Sequence, residues 1–79
     1  MTPERLRHIL AANIRAERGR AHLTQTATAR NMRGLGFEDW HQQTLGSIEA
    51  CKRRVTAEEI LGLANVFGID AAALMALNH

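Results

Sequence analysis

The chain has 79 residues, a formal net charge of +2, one cysteine and a hydrophobic fraction of 46%. This length holds one small domain and excludes a second domain of ordinary size. Aromatic residues make up only 4% of the chain and tyrosine is absent, so the alanine- and leucine-rich composition favours packed helices over a sheet. We therefore expect a single all-α domain over residues 1–79.

Cysteine content and apolar patterning bear on where the protein works. The single cysteine, Cys51, excludes an internal disulfide. A protein without disulfides fits a reducing compartment most simply. The sequence shows no apolar run long enough to span a bilayer and no secretory leader. These features predict a cytoplasmic protein with no membrane partner.

The first predicted helix runs from about Pro3 to Gly19. Thr2 suits a hydroxyl cap, and proline suits the first helical position. Apolar residues recur along one face of this helix and predict a stripe that faces the core, made of Leu6, Ile9, Leu10 and Ile14.

The second predicted helix begins at Gln25, with Thr24 as its cap. It ends near residues 34–36, because glycine adopts the positive φ that the end of a helix often needs. Residues 37–40 then connect it to the third helix. The connection to the next helix is therefore unusually long.

A third helix is predicted from about His41 to Ala50. Leu45 and Ile48 lie three positions apart on it and suit a core. Its polar and small residues fall largely on the opposite face: Gln42, Gln43, Gly46 and Ser47. The densest positive run of the chain follows it, Lys52-Arg53-Arg54. One face of this helix is expected to pack, and the other to remain available for binding.

Two further helices complete the chain. Thr56 and Glu59 have capping-box spacing, so the fourth helix should begin at Ala57, and Gly68 suits its C-terminal cap. Asp70 is expected to cap a fifth helix over residues 71–77. Three apolar residues of that helix either close the core or meet another subunit: Leu74, Met75 and Leu77.

Catalysis and metal binding are not favoured. The chain has no nucleophile and base at a recognisable spacing, and the acidic pair Glu58-Glu59 is explained by helix capping. The lone thiol of Cys51 lacks nearby partners and shows no ligand spacing with the histidines, which are His8, His22, His41 and His79. We expect no enzymatic activity, no metal and no cofactor.

Several segments together resemble the phage repressor and Cro type of helix-turn-helix domain, also called the xenobiotic-response-element type. They are Leu23-Thr24-Gln25, Ala29 four residues after Gln25, Thr44-Leu45-Gly46-Ser47-Ile48-Glu49, and the closing segment from Leu61 to Asp70. The likeness covers roughly residues 10–75. It implies a lambda-repressor-like bundle of five short helices, here with about six extra residues in the connection between the second and third helices.

The resemblance implies a transcriptional regulator, a repressor or Cro-like control protein of a phage or another mobile element. Its second and third helices would dock on an operator in double-stranded DNA, commonly as a homodimer. Gln42 and Gln43 match positions that read base edges, and a glutamine amide suits the N6 and N7 groups of adenine. Ser47, one turn after Gln43, can reach a base or a phosphate.

Contacts with the DNA backbone are implied for a larger set: Gln25, His41, Thr44, Lys52, Arg53 and Arg54. Arg18 and Glu49 match a pair that in several relatives forms a buried salt bridge, so a structural ion pair between the first and third helices is expected. Cys51 takes the place where relatives often have glycine with a left-handed backbone, so either the turn differs here or some strain is accepted.

Some alternatives stay open. Gly46 inside the third helix either permits close approach to DNA or is a tolerated weak position. Phe37 and Trp40 cover the long connection by packing, or Trp40 lies against the sugar-phosphate backbone. For the whole protein, the alternative is an interaction module on the same fold, such as an antitoxin or antirepressor that binds a protein partner through its last helix. The chain is also compatible with the DNA-binding half of a longer protein.

Overall fold

The computed structural model describes residues 1–77, and within that range it contains five α-helices and no strand. The helices are α1 (Pro3–Arg20), α2 (Gln25–Gly34), α3 (Gln42–Glu49), α4 (Ala57–Phe67) and α5 (Ala71–Leu74). The predicted all-α class and the predicted order of five helices are confirmed. The predictions made for His79 and for the end of the chain lie outside the described residues.

Three of the helices begin at threonine caps. The hydroxyl oxygen of Thr2 accepts from the Arg5 amide at 3.1 Å, and that of Thr24 accepts from the Ala27 amide at 3.0 Å. Thr56 does the same for Glu59 at 3.1 Å. Each hydroxyl pairs an amide N–H that the first helical turn leaves without a partner. The predicted starts of α1, α2 and α4 are therefore confirmed.

The ends of the last two helices differ in how well they were predicted. Gly68 has φ 72° and caps α4 as expected. Helix α5 was predicted over residues 71–77 but ends at Leu74. The Asn13 side-chain amide donates to the carbonyl oxygens of Leu74 and Ala76 at 3.0 and 2.9 Å. These bonds fix the chain against α1 after a single turn.

One apolar core is built from every helix. Its fully buried residues include one from each helix in turn, Ile14, Met32, Leu45, Leu63 and Leu74. Ile48 is also buried, which confirms the predicted inward face of α3. The predicted stripe on α1 is correct for Ile14, and Ile9 and Leu10 are half-buried. It is wrong for Leu6, which is 40% exposed and does not pack against the core.

Residues 35–41 connect α2 and α3, where an ordinary helix-turn-helix has a turn of about three or four residues. Trp40 is only 3% exposed, and its ring meets Phe37 edge to face with the ring centroids 6.4 Å apart. Gly62 of α4 makes room for this, since a Cβ there would lie 2.8 Å from the Phe37 ring. The packing interpretation of Trp40 is confirmed, because the buried ring has no face left for a DNA backbone.

Candidate nucleic-acid interface

The outer face of α3 carries the residues that were predicted to read DNA. Gln42 and Gln43 are exposed and Ser47 is half-buried, while Leu45 and Ile48 on the inner face lie in the core. Burial of the inner face thus fixes which side chains of this helix face outward. Gln42 and Gln43 form an exposed amide pair at its first turn.

A chain of hydrogen bonds orients Gln42. The Gln25 side-chain Nε2 donates to Glu49 Oε1 at 3.0 Å, and Gln42 Nε2 donates to Gln25 Oε1 at 2.6 Å. A carboxylate accepts hydrogen bonds and donates none, so Glu49 fixes which end of the Gln25 amide faces it. Gln42 is oriented in turn, and its Oε1 and its second N–H remain available to a ligand.

The predicted ion pair between Arg18 and Glu49 is present. Arg18 Nε lies 2.7 Å from Glu49 Oε2, and Nη2 lies 3.1 Å from Oε1, which gives a bidentate contact with a glutamate whose side chain is 2% exposed. The hydrogen bond with Glu49 raises the pKa of Arg18, against the lowering effect of burial. Arg18 also donates to the Leu23 carbonyl oxygen at 3.0 Å, so it joins α1, α3 and the start of α2.

The N-termini of α2 and α3 lie side by side. Gln25 is the first residue of α2 and Gln42 is the first residue of α3, and their side chains are hydrogen-bonded to each other. His41 occupies the N-cap of α3 with an exposed side chain, and its amide donates to Thr44 Oγ1 at 3.1 Å. Two adjacent helix N-termini present unpaired amide N–H groups and positive dipole ends, which suit phosphate.

The basic run after α3 is exposed throughout, but its members are not equivalent. Arg53 forms a bidentate pair with Glu59, with Nη1–Oε1 at 3.1 Å and Nη2–Oε2 at 2.9 Å. The hydrogen bond with Glu59 raises the pKa of Arg53, again against burial. Within residues 1–77 neither Lys52 nor Arg54 forms an ion pair. The charges of Lys52 and Arg54 are therefore not paired with a carboxylate, whereas that of Arg53 is.

Glu59 has a role that its capping position did not reveal. Its carboxylate closes the predicted capping box with the Thr56 amide at 2.8 Å, but it also accepts from the Trp40 indole Nε1 at 2.8 Å and from Arg53. Burial alone raises the pKa of Glu59, yet the bonds from Arg53, Thr56 and Trp40 and the Arg53 charge outweigh it and lower the pKa to about 2. The one signal in the sequence was Trp40, because a buried indole N–H usually finds an acceptor.

Cys51 adopts a left-handed backbone with φ 61°, so of the two alternatives the turn is kept and the strain of a side chain is accepted. Its amide donates to the Ile48 carbonyl at 3.1 Å, and the Lys52 amide donates to the Ser47 carbonyl at 2.8 Å, which is a Schellman motif. The prediction that the thiol lacks nearby partners is wrong. Packing of α1 brings His8 Nδ1 to 3.4 Å from its sulfur. The described residues contain no group of three or more potential metal ligands.

Gly46 lies beside the two bridged glutamines. A Cβ at this position would sit 3.5 Å from Gln25 Oε1 and 3.6 Å from Gln42 Nε2, which is ordinary van der Waals contact. The glycine is therefore not required by a steric clash within the protein.

No helix in residues 1–77 combines the length and the apolar character that crossing a membrane requires. Comparison with known protein families gave one result that bears on function. The model of a helix-turn-helix domain matches residues 9–77, a range that includes both helices of the candidate interface. Searches among curated proteins and among solved structures gave no match. With nearly its whole length matched, the chain belongs to the helix-turn-helix domain family.

Proposed function

We propose that the protein is a sequence-specific transcriptional regulator, a repressor or Cro-like control protein of a phage or another mobile element, acting in the cytoplasm. Membership of the helix-turn-helix family supports DNA binding, since the second helix of that motif commonly enters the major groove. The single observation that carries the proposal is the exposed pair Gln42 and Gln43 on α3, of which Gln42 donates to Gln25, and Gln25 in turn donates to Glu49.

Gln42 is oriented for adenine. In the major groove adenine offers its N6 amino group as a donor and N7 as an acceptor. Gln42 keeps its Oε1 and its second N–H free of the bond to Gln25, which is the matching acceptor and donor. A bidentate contact of this kind is worth about 1–3 kcal/mol of discrimination. Gln43 and Ser47 read the neighbouring positions.

Backbone contacts surround these base-reading residues. Gln25, His41 and Thr44 lie at the two adjacent helix N-termini, where amide N–H groups add to binding of a phosphate. Lys52 and Arg54 approach the duplex from the loop after α3, with Arg53 between them held by Glu59. These contacts fix the position of the protein on the duplex without selecting a sequence.

The operator is bound by a homodimer in this proposal. An apolar groove between the start of α1 and the end of the described chain is lined by Leu6, Leu10, Met75 and Leu77, together with other apolar residues. Met75 is 51% and Leu77 56% exposed. A second copy on this groove would bury both side chains, and a two-fold symmetric dimer suits a two-fold related operator.

The same exposed residues favour one alternative. An antitoxin or antirepressor would use Met75 and Leu77 to bind a different protein. Sedimentation of the protein with a selected duplex separates the two: two copies per duplex support the regulator. A monomer that fails to bind DNA at low salt and copurifies with a stoichiometric protein partner supports the alternative.

Selection of bound duplexes from random sequences tests the proposal. Gln42→Ala and Gln43→Ala should each lower affinity for the selected duplex about 5- to 150-fold and relax the preference at one base pair. Lys52→Ala should instead weaken binding to all duplexes alike and reduce the log–log salt slope by about one unit.

Asn65→Ala, an exposed polar change on α4, is the matched control and should leave binding unchanged. The proposal is overturned if the wild-type protein selects no preferred duplex either as a monomer or as a dimer.

A further inference from the structure

We infer, on the basis of the proposed DNA-binding function, that Glu59 is a positioning residue for α3. Its carboxylate holds Trp40, which lies just before α3, and Arg53, which lies just after it. One buried side chain on α4 thereby sets the entry to the DNA-reading helix and the exit from it.

The bonding of this carboxylate is complete. Oε2 accepts from Trp40 Nε1 at 2.8 Å and from Arg53 Nη2 at 2.9 Å. Oε1 accepts from Arg53 Nη1 at 3.1 Å and from the Thr56 amide at 2.8 Å. All four acceptor sites of the carboxylate are thus used, and the residue is only 5% exposed. Four hydrogen bonds hold the buried carboxylate in one orientation, and the carboxylate in turn fixes the position of each donor group.

Helix α3 needs such an anchor at its first turn. It spans only Gln42–Glu49 and contains Gly46, so it is too short to be stable on its own and depends on tertiary contacts. Its last turn is held by Arg18. A short turn from α2 would ordinarily hold the first turn.

Here residues 35–41 replace that short turn, and the covalent chain alone leaves the helix angle open. Trp40 supplies a buried constraint in addition to the exposed bond between Gln42 and Gln25. Its indole is bonded to Glu59, and its carbonyl oxygen accepts from Arg33 Nη1 at 2.6 Å. The next residue along the chain, His41, is the N-cap of α3. A shift of Trp40 therefore moves the turn that carries Gln42 and Gln43.

Replacing Glu59 by a neutral residue has two opposite effects on DNA binding, one through its charge and one through the position of α3. Neutralising an acidic residue removes repulsion from phosphate and by charge alone strengthens DNA binding. Loss of positioning weakens binding to the preferred sequence. Glu58 is the matched control, because it is the adjacent residue on the same helix, has the same charge and is exposed.

Affinities for the selected duplex and for a random duplex should be measured for Glu59→Gln, Glu58→Gln and Trp40→Phe, with far-UV circular dichroism as the check on folding. Glutamine keeps the size of Glu59 but lacks the acceptors for all four bonds. Trp40→Phe keeps every charge and removes the indole donor. We expect Glu59→Gln and Trp40→Phe to lower the ratio of specific to random affinity about tenfold or more, near the value of one base contact. Glu58→Gln should keep the wild-type ratio.

Amide hydrogen exchange in the DNA-free protein provides the second measurement. Both Glu59→Gln and Trp40→Phe should accelerate exchange at Leu45 and Gly46 relative to amides in the middle of α1, and Glu58→Gln should not. If Glu59 and Trp40 only stabilised the fold as a whole, both variants would accelerate exchange throughout the core instead.

Wild-type ratios in both Glu59→Gln and Trp40→Phe overturn the inference, as does uniform acceleration across the core. Should Glu59→Gln fail to fold, Trp40→Phe decides by the same criteria. If the wild-type protein shows no preferred duplex, the proposed function fails, and local exchange at α3 alone then decides whether Glu59 positions the helix.

Discussion

Two buried carboxylates bond α1, α3 and the residues that flank α3. Glu49 lies in the last turn of α3 and pairs with Arg18, whereas Glu59 lies on α4 and pairs with Arg53. A buried carboxylate is costly unless it is paired and hydrogen-bonded, and both are. Each also accepts from a neutral donor, Gln25 for Glu49 and Trp40 for Glu59. The helix that carries the exposed amides is therefore held by two buried carboxylates, each paired with an arginine that is less buried.

Cys51 gives a prediction at the same scale. A side chain in the left-handed region costs about 1–2 kcal/mol, and glycine avoids most of this while losing more entropy on folding. Cys51→Gly should raise the free energy of unfolding by about 1 kcal/mol in urea under reducing conditions. Cys51→Ser is the control, since it also loses the sulfur contact with His8 but keeps the strained Cβ. Equal stability of the two variants would show that the left-handed backbone of Cys51 does not lower the stability of the protein.

At the scale of elements, α3 combines a short length with an internal glycine. Gly46 lowers helix stability by about 1 kcal/mol relative to alanine, and the surrounding side chains leave room for a methyl group. Gly46→Ala should therefore raise the free energy of unfolding by about 1 kcal/mol, measured by thermal or urea unfolding.

DNA affinity of the same variant separates the two interpretations of Gly46. A more stable protein with weaker binding to the selected duplex indicates that DNA approaches the glycine closely. A more stable protein with unchanged binding indicates a tolerated weak position. Reduced stability would show that Gln25 and Gln42 do not leave room for a methyl group at this position.

For the whole molecule, Glu59 links folding to pH. Its pKa falls from 4.5 to about 2 on folding, so the native state holds the proton less tightly than the unfolded chain. The resulting stability is fully present above the unfolded pKa and is lost as the pH falls through the folded pKa. Between pH 4.5 and about 2 the loss from this residue should be about 3 kcal/mol.

Unfolding free energies across that pH range should therefore fall more steeply in the wild-type protein than in Glu59→Gln. Glu58→Gln should follow the wild-type curve. Parallel curves for all three proteins would show that the bonds of Glu59 do not stabilise the native state.

Features that depend on a few neighbouring residues were predictable. The threonine caps and the capping box at Thr56 join residues three positions apart, and Gly68 needs only its own backbone freedom. The inward face of α3 followed from the spacing of Leu45 and Ile48. The Arg18–Glu49 pair is long-range, and it was anticipated through the family resemblance alone.

The sequence by itself determined the helical class, the starts of the capped helices and the amphipathic division of α3, because capping and periodicity act within one or two turns. Tertiary structure decided the early end of α5 at Leu74, where Asn13 binds it, and the contact of Cys51 with His8. It also decided the junction of Trp40, Arg53 and Glu59. Those contacts join residues far apart along the chain. Their partners become neighbours only when the helices pack.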